Sequence, residues 1–132
     1  MSDMELHTYY SKTGLLKVSW GNRIDLDSVL RHFELLRVSS HYDRNLKVIS
    51  SSEVEEIDIP LVRDNLIKIR NWRYRALQNY TSVRTALYGL SPVPATYVHY
   101  FSEFFDTEKS CIELFETERQ AFEWLGLEYS KA

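Results

Sequence analysis

Glycine and proline are scarce in this chain, at four and three residues of 132, and cysteine occurs once. The glycines at 14, 21, 89 and 126 each stand alone, so neither a G-x-G-x-x-G fingerprint nor a Walker phosphate loop can be built. A lone Cys111 excludes an intrachain disulfide. His7, His32, His41 and His99 show no H-x-x-x-H spacing and there is no cysteine pair, so the ligand pattern of a zinc site is missing. No cofactor and no metal are expected. No apolar run approaches the ~18 residues of a membrane span. The opening Met1-Ser2-Asp3-Met4-Glu5 is acidic where a secretory leader is basic and then apolar, so the expected location is the cytoplasm. Sixteen basic against nineteen acidic residues leave a net charge of −3, too balanced to announce a nucleic-acid binder.

What is present is 44% apolar and 27% charged sequence without internal repeat or linker, which reads as one domain over residues 1–132. Segments 6–12 and 15–20 alternate as two strands around Lys12-Thr13-Gly14, a hairpin turn. Asp25 or Asp27 caps a helix whose Leu26, Val29, Leu30, Phe33, Leu35 and Leu36 recur at three- and four-residue spacing. Leu46, Val48 and Ile49 form a strand that runs into Ser50-Ser51-Ser52 and an acidic loop, Glu53 to Asp58. Pro60 opens a helix to about Tyr80, and Arg73 falls within its apolar stripe, stem packed and head in water. A strand from Val83 to Leu90, a helix from Pro92 to Phe105 and a strand from Cys111 to Phe115 follow. Thr117 and Gln120 have capping-box spacing for a final helix that Gly126 can close. The order β-β-α-β-α-β-α-β-α predicts an α/β fold: a mostly parallel sheet of four to five strands, antiparallel at its start, with about four helices. Ligands of such open sheets usually sit beyond the strands' carboxyl ends, a rim that here includes Ser50 to Ser52, Ser91 and Glu116-Thr117.

Val18-Ser19-Trp20-Gly21-Asn22-Arg23-Ile24-Asp25, Leu46-Lys47-Val48-Ile49, Arg84-Thr85-Ala86-Leu87-Tyr88 and the closing F-x-T-x-x-x-A-x-x-W-L from Phe115 to Leu125 resemble the STAS-like, or stage II sporulation protein AA-like, family of small bacterial proteins. The resemblance covers nearly the whole chain. It implies a STAS-like sheet with helices, related to anti-sigma-factor antagonists and more remotely to lipid-exchange domains. Regulatory members carry a phosphorylatable Ser or Thr directly after an Asp. Here Ile57-Asp58-Ile59-Pro60 is the matching stretch, and Ile59 stands at the hydroxyl position. Isoleucine has no oxygen to phosphorylate, so the switch is not expected.

Several residues invite chemistry and have plainer readings. His41-Tyr42-Asp43 reads as a solvated turn, His99 as a packing or surface residue, Cys111 as a small core residue, and Glu55-Glu56 as exposed acids. No residue supports an enzyme.

Two asymmetries remain. Residues 60–84 hold six cations (Arg63, Lys68, Arg70, Arg73, Arg75, Arg84) against Asp64, a local +5 that leaves −8 for the remainder. Five lie on one predicted helix beside Trp72 and Tyr74. The expected reading is a solvated face whose arginines pair with Glu53, Glu55, Glu56 or the acidic C-terminal helices. The second is the helix from Val93 to Phe105, apolar over much of its circumference. Arg63, Arg70, Trp72 and Tyr74 on the basic helix, and Tyr97, Tyr100, Phe101 and Phe105 on the aromatic one, are the candidate contacts. The expected function is a non-enzymatic regulatory or interaction domain whose partner is another protein or itself, as a homodimer. The alternative is a carrier or sensor of a small lipophilic ligand held between sheet and aromatic helix. Nucleic acid is not the expected partner.

Overall fold

The computed structural model describes residues 6–50, 53–105 and 107–129. The predicted hairpin is β1 (Leu6–Tyr10) and β2 (Leu15–Ser19), paired antiparallel. Its turn closes on the Tyr10 carbonyl, which accepts from the Thr13 and Gly14 amides. Gly14 has φ +69°, where an L side chain is strained. A short strand β3 (Arg23–Asp25) leads into α1 (Leu26–Val38). Asp25, not Asp27, is the N-cap, and with Ser28 it forms a reciprocal capping box. The chain continues through β4 (Asn45–Ser50), a three-residue β5 (Glu56–Asp58), α2 (Arg63–Leu77) and β6 (Ser82–Tyr88). It closes with α3 (Pro92–Phe105), β7 (Ser110–Phe115) and α4 (Glu118–Trp124).

The main sheet has five strands in the order β1-β2-β4-β6-β7, parallel except for the β1–β2 pair. This is the expected α/β fold with four helices and a mostly parallel sheet. The strands lie side by side in the order the chain supplies them. Right-handed crossovers that all step the same way deliver their helices to one face of a sheet, and α1, α2 and α3 contribute to one core there. Alternation along the strands sends Leu16, Val18, Leu46, Val48 and Val83 to that face, against Leu36, Ile69, Ala76, Leu77 and Phe105. Leu15, Ile49 and Ala86 point to the opposite face, covered by Ala121 and Leu125 at α4.

One feature is absent from the sequence reading. β3 and β5 pair in parallel as a separate two-stranded sheet, with Ile24 opposite Ile57. Arg23 braces it through ion pairs to Asp25, Glu56 and Asp58. The second helix also starts later than expected. The Pro60 carbonyl takes the Val62 amide and the Asn65 side chain, and the helix begins at Arg63.

The loop after α1 is tied by Arg44. Its guanidinium donates to the carbonyls of Ser39, Tyr42 and Asn79 and lies 4.2 Å above the Tyr80 ring. Tyr80 donates to the Leu36 carbonyl at 2.7 Å. No helix among the described residues is long and apolar enough to cross a membrane.

Candidate functional site

The parallel register places three rows of side chains on the helix-covered face. The first is Leu46–Val83–Ser110, the next Leu16–Val48–Thr85–Ile112, and the last Val18–Ser50–Leu87–Leu114. Above these rows the helices do not fill the space. A cavity of about 160 Å³ lies between sheet and helices. Its floor includes Ser50, Val83, Thr85, Leu87, Ser110 and Ile112. The overlying helices contribute Phe33 and Leu36 from α1, Ile69 and Leu77 from α2, and Val98, Phe101 and Phe105 from α3. Ile24 and Ile57 from the small sheet, with Ile59 just after it, complete the wall. A dry cavity of about this size accommodates one benzene ring.

The polar groups at this cavity are few and placed. Trp20 Nε1 donates to the Ser50 hydroxyl at 2.8 Å. His32, on α1, lines the cavity and is buried beside Trp20 and Phe33. Its Nδ1 shares a hydrogen bond with His7 Nε2 at 3.0 Å, and His7 Nδ1 meets the Tyr42 hydroxyl at 3.3 Å. Burial drives both imidazoles toward the neutral form, His7 down to about 4 and His32 down to about 3, with the neighbouring His7 lowering His32 further. At the other end, Arg73 donates to the Phe105 carbonyl and, at 2.6 Å, to the Ser110 hydroxyl.

The candidate residues divide. Phe101 and Phe105 line the cavity. Arg70 and Tyr74 line a second depression of about 270 Å³, together with Arg73, Phe105, Lys109 and Ser110. Arg63 is exposed at the start of α2, and Trp72 packs against the edge of the core. Tyr100 is exposed. Tyr97 packs against Phe101, with ring centroids 5.0 Å apart. Its hydroxyl is buried with no partner among the described residues, and burial with the nearby Asp58 charge raises its pKa.

Four expectations need correction. The Arg73 head reaches a carbonyl and a buried hydroxyl rather than only water, and Arg84 similarly donates to the Trp124 carbonyl and lies 4.5 Å over that ring. Among the described residues no ion pair joins Arg63, Lys68, Arg70 or Arg75 to Glu53, Glu55 or Glu56. Those acids instead take Ser19, Asn22 and Arg23. The 41–43 turn is not simply solvated, because Tyr42 is buried and bonded to His7. The carboxyl-end rim does not form a cleft with Ser50. That residue turns into the layer under Trp20, Ser91, Glu116 and Thr117 are exposed, and Ser51 and Ser52 lie outside the described residues. The strand order never reverses along the parallel strands, so the switch-point crevice that rim sites use is missing.

His32, Thr85, Arg73 and Ser110 were not singled out as contacts from sequence. Arg73 carried a signal, a cation within an apolar stripe; the others look like ordinary strand and helix residues. His99 is exposed and 2.9 Å from Glu103, and Cys111 is half-buried on the other face. Among the described residues no three His, Cys, Asp or Glu gather as a metal site. No family model matches the chain, and comparisons with curated proteins and with solved structures find no match.

Proposed function

We propose that this protein is a non-enzymatic, STAS-like binding module that senses or carries a small lipophilic molecule in the cavity between its sheet and helices. The observation that carries this reading is the cavity itself, about 160 Å³ and walled mainly by Leu, Ile, Val and Phe. The space is partly open, so its apolar lining meets water, and a lipophilic molecule seated there removes that area from solvent. Ile59 fits the reading. Where the resemblance calls for a phosphorylatable hydroxyl, this chain places an apolar side chain that is buried in the cavity wall.

Titration of the full chain with toluene tests the proposal, read by NMR and by Trp20, which lines the cavity. Saturable binding that Val98→Phe abolishes while the fold persists is the expected result. No saturable binding to the folded protein overturns it.

A second reading rests on α3, whose outer side exposes Val93, Tyr100 and Phe104. An apolar stripe of this kind suits a protein partner or a second copy of the chain, through which occupancy of the cavity beneath is transmitted.

A further inference from the structure

We infer that the molecule taken by this cavity is an amphipathic anion: a single aromatic ring, or an alkyl chain of similar size, that carries one carboxylate. The inference rests on the cavity reading above and names its ligand class. The apolar cavity and the 270 Å³ depression share four residues, Arg73, Leu77, Phe105 and Ser110, so the two spaces abut across them. On one side of that partition the surface is apolar. On the other, Arg70, Arg73 and Lys109 bring three cations together, and none of the described residues lining the depression is acidic.

The cations are arranged rather than scattered. Arg70 and Arg73 stand three positions apart on α2 and so share a face. Arg73 is anchored by the Phe105 carbonyl and the Ser110 hydroxyl, which places a guanidinium where the two spaces meet. Lys109 approaches from the segment before β7, with its ammonium 3.5 Å from the Gln78 carbonyl. Tyr74, highly exposed on α2, adds an aromatic side to the same depression. A neutral hydrocarbon uses only the cavity. A carboxylate attached to a ring of that size turns toward the partition, where Arg73 lines both spaces and Arg70 and Lys109 lie beyond it; at the edge of a low-dielectric interior such pairing is stronger than in water.

Calorimetric titration of the full chain with 3-phenylpropionate and with 3-phenylpropan-1-ol decides the matter. The acid is expected to bind at least about tenfold tighter than the alcohol at low salt, the gain of one charge-assisted hydrogen bond. In the Arg70→Gln/Lys109→Gln protein, which keeps Arg73, the preference for the acid should shrink while the alcohol still binds. Equal affinity in the unaltered protein, or a preference for the acid that the double substitution leaves undiminished, overturns the anion inference and leaves the cavity reading standing. Failure of both probes to bind the folded protein overturns the cavity reading, and the inference with it.

Discussion

Lowering the pH from about 7.5 to about 5 should destabilise this protein through two histidines, well before its carboxylates protonate. His7 and His32 are held neutral by burial, at about 4 and about 3, against an ordinary value of 6.5. Their hydrogen-bonded chain with Tyr42 needs one proton per link and has two equivalent tautomer patterns, His7 donating to His32 or the reverse. A proton added to both rings sets two N–H groups against each other. In the unfolded chain each imidazole takes up a proton as the pH falls through 6.5, whereas in the folded protein each stays neutral until much lower. The unfolded state therefore binds more protons across this window, and stability falls as the pH falls. Integration gives a loss of about 2 kcal/mol for the fully buried His32 and a smaller one for His7, whose charged form the solvent partly screens. Asp25 and Glu34 have lowered pKa values, by a backbone hydrogen bond from Ser28 and a side-chain bond from Arg37 respectively, so their contributions are lost only at more acid pH. Urea denaturation across this range measures the slope directly. A His32→Phe variant should keep less than half of it. Stability unchanged between pH 7.5 and 5 would refute the argument, because it would mean the two rings meet water or a charge partner in the native state.

Three further outcomes follow from the same contacts. Tyr97→Phe should raise the unfolding free energy by about 1 kcal/mol in chemical denaturation, since it removes a buried hydroxyl with no partner among the described residues. Tyr80→Phe should lower it by about 1 kcal/mol, because the Leu36 carbonyl loses its buried donor. Gly14→Ala should lower the thermal midpoint, since φ is +69° and the new Cβ would sit 3.1 Å from the Asp43 carboxylate, whereas at Gly126, also at positive φ, an added Cβ meets nothing within 4 Å and only the backbone term applies.

The long elements were legible because periodicity states which side of an element turns inward. The first helix, the hairpin and the Thr117–Gln120 capping box all appear where their residues predict. The β3–β5 pair was not legible. Three residues give no alternation to read, and the partners lie 33 positions apart with a helix and a strand between them. Tyr42 was misread for a related reason. A loop of His, Tyr, Asp and Arg looks solvated, and only the fold brings β1 against it, where Tyr9 also accepts the Asp43 amide at 2.8 Å. Among the candidate contacts, Phe101 and Phe105 reach the cavity, but a helix apolar over most of its circumference does not say which side turns inward, and Val93, Tyr100 and Phe104 of the same stripe face outward. That the stripe leaves space beneath it depends on how well three helices fit one sheet, and hydrophobic pattern carries no information on fit. Arg73 shows the same limit at one residue: its position in the stripe was plain, while its acceptors, Phe105 and Ser110, are set by the meeting of α3 with β7.

The spatial order of the strands has a consequence for how this chain acquires its ligand. Each strand after the hairpin pairs with the one before it in the main sheet, so every parallel crossover spans a single helix. The cavity is not confined to one of them. Its wall draws on Ile24 near the start of the chain and on Ile112 from β7, the last strand in the sequence. The binding space is therefore complete only when the whole main sheet, β7 included, is in place. A ligand that fills it stabilises the completed fold alone, and opposes both global unfolding and the release of the β7 edge, whose Ser110 and Ile112 line the cavity.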